Sequence, residues 1–133
     1  MDIIRKETDY AFRCLVRLAG VEADSVESAK HIAAEESLPE PLLRKILQRL
    51  VKSGIVESVK GRSGGVRLAR DPHEITLLAV LESVQGAVTL NQCVRPHGCC
   101  QNKHNCRLHR CLVQAQVGID SVLSETTLQN FLD

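Results

Sequence analysis

Six apolar residues, Leu42, Leu43, Ile46, Leu47, Leu50 and Val51, recur at the interval that lines one face of an α-helix. Arg44, Lys45, Gln48, Arg49 and Lys52 fall between them and occupy the opposite face. A helix built this way buries one side in a core and holds a cationic side outward. Pro41 suits its first position, where the missing N–H costs nothing, and Gly54 suits the left-handed residue that closes a helix.

What flanks this helix narrows the fold further. Upstream, Thr8 reads as a hydroxyl cap and Asp9 as a first-turn acid. They open a helix through Ala11, Leu15, Val16, Leu18 and Ala19 that Gly20 stops. Ser28 caps a short second helix through Ala29, Ile32 and Ala33 to about Glu36, and a turn around Leu38-Pro39-Glu40 follows. Downstream, Ile55-Val56-Glu57-Ser58-Val59 and Val66-Arg67-Leu68-Ala69 read as two strands. The glycines and cations of Lys60-Gly61-Arg62-Ser63-Gly64-Gly65 suit a hairpin tip that approaches phosphates. Helix, turn, basic-faced helix and hairpin predict a winged helix-turn-helix. Thr76 then caps a helix over 77–84, which Gly86 ends.

The charge distribution agrees. Residues 40–70 carry eight basic side chains against Glu40 and Glu57, a net of +6, so the rest of a chain with overall charge +1 carries −5. A basic segment on an otherwise acidic protein is the footprint of a polyanionic partner. Ser28, Pro41, Arg44, Lys45, Gln48, Arg49, Lys60 and Arg62 are the expected DNA contacts, the helix cations facing base edges and the hairpin cations facing phosphates.

Five of the six cysteines and three of the five histidines lie between Cys93 and Cys111. Cys14 sits on the apolar face of the first helix and reads as core, and Cys111 reads as packed in a later helix. Cys93, Cys99, Cys100 and Cys106 occupy a polar loop that gives them no apolar role, and thiolates are soft ligands for zinc or iron–sulfur clusters. Adjacent cysteines diverge, so one of Cys99 and Cys100 is a spare. His109 follows Cys106 by three residues, on the same face of a first helical turn, where it reaches the same ion or stands as an exposed histidine on a polar turn. His97 and His104 are weaker candidates.

Beyond Cys106, Leu108, Leu112, Ala115, Ile119 and Val122 form a heptad-like stripe, expected to pair with a second copy as a homodimer. Thr126-Thr127-Leu128-Gln129-Asn130-Phe131 is expected to fold back on the body. With 133 residues, 44% of them hydrophobic but only Phe12, Phe131 and Tyr10 aromatic, the core is aliphatic and suits packed helices. No apolar run reaches the roughly 18–20 residues that span a bilayer, and the charged N-terminus does not read as a signal peptide. The expectation is a cytoplasmic protein without membrane association, whose reduced thiols favour a metal site over disulfides. There is no Cys-x-x-Cys redox pair and no nucleophile–base constellation, so an enzyme is not expected.

Thr8-Asp9-Tyr10-Ala11, the run from Leu50 through Gly54 to Gly65, and the cysteines after the next helix together resemble the Rrf family of bacterial winged-helix regulators, over nearly the whole chain. The resemblance implies a mostly α fold with a small β-hairpin wing. It divides the chain into a winged helix-turn-helix domain (1–86), a cysteine-rich cluster-binding loop (87–107), and a long C-terminal dimerisation helix with its tail (108–133). It also implies an iron–sulfur cluster on three cysteines. Cys93 to Cys99 leaves the family's five intervening residues, Cys99 to Cys106 leaves six, and Cys100 to Cys106 leaves five. A one-residue insertion ahead of the second ligand assigns Cys93, Cys100 and Cys106, with Cys99 as substitute for Cys100. The fourth ligand is Asp9, matching members with a [4Fe-4S] cluster, or His109, matching a Cys-x-x-His of [2Fe-2S] members; the four-iron form is preferred. Arg44 departs from an acidic base-reading residue in one branch of the family, so that branch's DNA preference does not transfer. The implied function is a DNA-binding repressor that senses iron or cluster status, nitric oxide or redox state. A metal-free thiol-based regulator of the same fold and a zinc-stapled interaction module are the alternatives.

Overall fold

The computed structural model describes residues 2–98 and 100–132. The chain runs α1 (Lys6–Ala19), α2 (Ala29–Glu36), α3 (Glu40–Lys52), β1 (Val56–Val59), β2 (Gly65–Leu68), α4 (Leu77–Gln85) and α5 (Arg107–Glu125), the mostly α fold with a β-hairpin wing expected above. Short 3-10 turns at Pro72–Glu74, Gln92–Val94 and Leu128–Phe131 link or close these elements. None of the described helices is long and apolar enough to cross a membrane.

Three local expectations need correction. Thr8 does not cap α1, which starts from Arg5. Thr8 lies inside the first turn, buried, and its hydroxyl donates to Oε1 of Gln85 at 2.6 Å. Pro41 is the second residue of α3, because Pro39 is the N-cap; the missing N–H is one of the unpaired first-turn donors either way. Val51 is 39% exposed, so the buried face of α3 is narrower than its pattern, comprising Leu43, Ile46, Leu47 and Leu50. Other signals hold: Ser28 accepts from the His31 N–H, Thr76 accepts from the Ala79 N–H, and Gly54 is left-handed at φ 78°.

The core gathers around α3. Ala11, Cys14 and Leu15 of α1, Ile32 of α2, Leu43, Ile46 and Leu50 of α3, and Val80 of α4 are buried together with Ile55 and Ile75. The hairpin pairs Val56 with Leu68 and Val59 with Gly65, turning Val56 and Val66 inward and Glu57 and Arg67 outward as an ion pair. The loop before α2 adds a bridge, Glu27 N–H to Val66 O at 3.0 Å and Val66 N–H to Glu27 O at 2.8 Å. The Glu27 carboxylate in turn accepts from Arg17 of α1 at 2.9 Å. The wing is thus joined to the helical body at its inner strand.

α5 lies against α4 through a second, smaller cluster, Leu81, Val88 and Leu123 with Ile119 packed on it. The expected stripe therefore splits: Ile119 packs within the subunit, whereas Leu108 and Val122 are 62% and 64% exposed; Val117, on another side of the helix, is 63% exposed. Cys111, expected to pack in the long helix or at its dimer seam, is exposed within the subunit. The tail folds back as anticipated, with Leu128 buried and Phe131 edge-to-face on Phe12 at 4.8 Å.

Candidate nucleic-acid interface and cysteine loop

The face of α3 turned away from the core and the inner side of the hairpin enclose a groove of about 600 Å³. Ser28, Arg44, Gln48 and Lys60 line it, together with Leu47, Val51 and the glycines of the hairpin tip. Pro41, Lys45 and Arg62 are exposed beside it. Gly65 has no room for a side chain, because a Cβ would lie 2.2 Å from the Glu27 carbonyl oxygen. Arg44 reaches back one turn, its Nη2 donating to Oε1 of Glu40 at 2.7 Å and its Nε to the same oxygen at 3.1 Å. Arg49, exposed on the same helix, also makes a bond within the subunit. Its Nη1 donates to the Val84 carbonyl at 2.9 Å, tying α3 to the last turn of α4.

The cysteine loop begins at a 3-10 turn, Gln92–Val94, whose entry is held by Asn91 Oδ1 accepting from the Gln92 N–H at 2.7 Å. Cys93 and Cys106 are half-buried, Cys100 is exposed, and all three are free thiols. Cys106 is the N-cap of α5; its Sγ accepts from the His109 N–H at 3.4 Å. The Cys-x-x-His spacing thereby places thiol and imidazole on one helical turn. Cys93 and His109, with Arg95, Lys103 and His104 among their neighbours, line a pocket of about 450 Å³. Among the described residues nothing bonds the buried Nδ1 of His109, and an unpaired buried polar group costs about 1–3 kcal/mol.

Among the described residues, no three His, Cys, Asp or Glu side chains converge closely enough to hold an ion. Cys99 lies outside the described residues. Asp9 is exposed on the first turn of α1. The donors nonetheless suit a cluster: three free thiols and, in the pocket beside Cys93, a buried imidazole nitrogen that no described residue bonds. Cys14 contrasts with them. It is fully buried, and burial, reinforced by Glu27 and Glu36, pushes its thiol up to about 12.

Two glutamines that sequence reasoning passed over hold this arrangement together. Gln116, buried on α5, donates Nε2 to Val88 O and to Asp120 Oδ1, both at 2.9 Å, and accepts at Oε1 from the Leu90 N–H at 2.9 Å. It clamps the strand of chain that leads into Cys93. Gln85, the last residue of α4, donates to Ile3 O at 2.8 Å and accepts from the Arg5 N–H at 2.9 Å and from Thr8. It pins the segment from which α1 and Asp9 start. The available signal for Gln116 was a polar residue four after Leu112 and three before Ile119, within an apolar stripe.

A winged helix-turn-helix with a cysteine loop ahead of a long, open-faced helix defines the class of helix-turn-helix transcription regulators. The chain belongs to the Rrf2 family, described as iron-dependent transcriptional regulators, whose profile it matches over residues 4–133. It is 36% identical over 127 residues to the HTH-type transcriptional regulator NsrR of Geobacillus kaustophilus, covering 95% of this chain and 86% of that protein. It is 34% identical over 126 residues to NsrR of Halalkalibacterium halodurans, covering 94% and 86%. Among solved structures, CymR of B. subtilis, the global cysteine regulator, superposes with a TM-score of 0.78 at 23% identity, over 98% of this chain and 96% of that one. The IscR of T. potens gives 0.76 at 24% identity, over 96% and 84%. These two likenesses establish the fold. The relatives are regulators of transcription rather than enzymes, and so is this chain.

Proposed function

We propose that the chain is a homodimeric DNA-binding repressor whose operator affinity depends on an iron–sulfur cluster held by Cys93, Cys100 and Cys106, with His109 as the fourth donor. The observation that carries this reading is the buried, unpartnered Nδ1 of His109 in a pocket shared with Cys93, one turn from Cys106. Asp9, exposed at the start of α1, is the alternative donor and would be offered to a second subunit. A cluster at this position supplies a centre that depends on iron supply and reacts with nitric oxide and oxidants.

The chain's own residues do the rest. Arg95 and Lys103, which line the pocket with Cys93, would offset the charge of cluster-bound sulfur, and Gln116 fastens the base of the loop to α5. The loop leaves α4 immediately after Val84 and Gln85, and Val84 is where Arg49 of α3 is anchored. Order in the loop thus reaches the DNA-facing helix through a short hydrogen-bonded route. The open face of α5 around Leu108, Ala115 and Val122 is where the second copy packs, and two copies present two α3 helices to successive turns of the major groove. A spacing error costing about 3 kcal/mol lowers operator affinity roughly a hundredfold.

Protein purified without oxygen tests this. It is expected to be coloured, to contain iron and acid-labile sulfide, and to bleach with nitric oxide. Mass spectrometry under non-denaturing conditions then reads dimer and cluster nuclearity together. Alanine at Cys93, Cys100 or Cys106 abolishes iron binding, and alanine at His109 or Asp9 identifies the fourth donor. A colourless protein holding stoichiometric zinc refutes the cluster. A protein without iron or sulfide that still binds its own promoter, and responds to oxidants, is the thiol-based regulator instead.

A further inference from the structure

We propose that Glu40 is a specificity-determining residue, forming with Arg44 a joint donor–acceptor unit that reads one G·C pair in the major groove. The inference rests on the DNA-binding function proposed above. Glu40 opens α3 and Arg44 stands one turn later, with side chains 38% and 59% exposed on the outward side of the helix. Arg44 lines the groove between α3 and the wing.

The pairing is asymmetric in a useful way. Both hydrogen bonds from Arg44, Nε at 3.1 Å and Nη2 at 2.7 Å, fall on Oε1 of Glu40. Among the described residues nothing bonds Nη1 of Arg44 or Oε2 of Glu40, so the pair presents outward donors beside an outward acceptor. Guanine offers two acceptors in the major groove, N7 and O6, and its cytosine offers a donor, N4–H. The braced guanidinium matches the first and the free carboxylate oxygen the second.

A carboxylate on a surface that meets phosphates weakens association with any DNA. Its presence beside the groove is accounted for if it also discriminates. Where the cytosine is replaced by thymine, the carboxylate faces the O4 acceptor, and the unpaired charge penalises the wrong base. Glu40 has a second effect: it keeps Arg44 from drifting to a phosphate, as a lone cation beside Lys45 would.

The test is selection from a randomised duplex library by the purified full-length dimer, in cluster-loaded and metal-free forms at one salt concentration. The wild type is expected to enrich a G·C pair at one position in each half-site. E40Q should relax discrimination at that position by roughly tenfold, leaving other positions unchanged. R44A should lose selectivity at the same position, and the double variant should lose no more than R44A alone. Matched thermal melts of these exposed variants establish that all are folded. A position profile identical to wild type for E40Q, with tighter binding to every sequence, overturns the proposal: Glu40 is then only a repelling charge. So does relaxation at a position different from that of R44A. If the wild type enriches no sequence in either form, DNA recognition itself fails, and this inference with it.

Discussion

Cys14 and Cys100 carry the same thiol and behave oppositely, because one is sealed between α1 and the core while the other faces water. Burial, with Glu27 and Glu36 nearby, raises the Cys14 thiol from 9.0 to about 12, so it stays protonated and unreactive through the neutral range. The folded pKa lies above the unfolded one. Its contribution to stability is therefore intact below pH 9.0 and is lost as pH rises toward about 12. Iodoacetamide at pH 8 should label Cys100 rapidly in reduced, metal-free protein and leave Cys14 untouched until denaturant is added. Rapid labelling of Cys14 in the native state would contradict its burial. The role of Cys14 was legible because its neighbours Ala11, Leu15 and Leu18 set the period of a buried face. That of Thr8 was not: its partner Gln85 is 77 residues away, and a local pattern sees only a plausible cap.

Elements differ in how fully their own pattern specifies them. α3 and the hairpin are dense in signal, and both stand where their periodicity and glycines put them. α5 is harder, because an apolar stripe does not say which of its members meets its own subunit. Gln116 decides that locally by bonding Val88 O and Leu90 N, which draws Ile119 and Leu123 onto α4 and leaves Val117 and Val122 outside. The cysteine loop is the least legible. Spacing proposes ligands, but the fit of His109 depends on a pocket formed by residues on both sides of the loop. Q116L should remove the clamp while keeping volume, stranding the Leu90 N–H and the Val88 carbonyl at about 1–3 kcal/mol each if they remain buried, and freeing the Asp120 carboxylate. Thermal melts are expected to drop, and amide exchange should accelerate at 88–92 before it does in α3. Unchanged exchange there would mean that the clamp does not order the loop.

For the whole molecule, the governing quantity is apolar surface left open along α5, a helix of 19 residues and thus about 28 Å long. Val122, 64% exposed, belongs to neither packed cluster of the subunit, so V122E should leave the fold intact while placing a charge in the proposed dimer seam. Light scattering should then report a monomer with an unchanged helical spectrum, and operator binding should weaken because two half-sites are no longer read together. A V122E protein that remains dimeric would move the seam elsewhere. The suture of the wing to the body bears on the same geometry. Glu27 holds Val66 by two backbone bonds and is itself gripped by Arg17, so the hairpin cannot swing as a hinged flap. In the proposed dimer each reading head is then expected to tilt as a block, so a lengthened centre between half-sites falls on the contact between copies or on the twist of the duplex, and not on the wing.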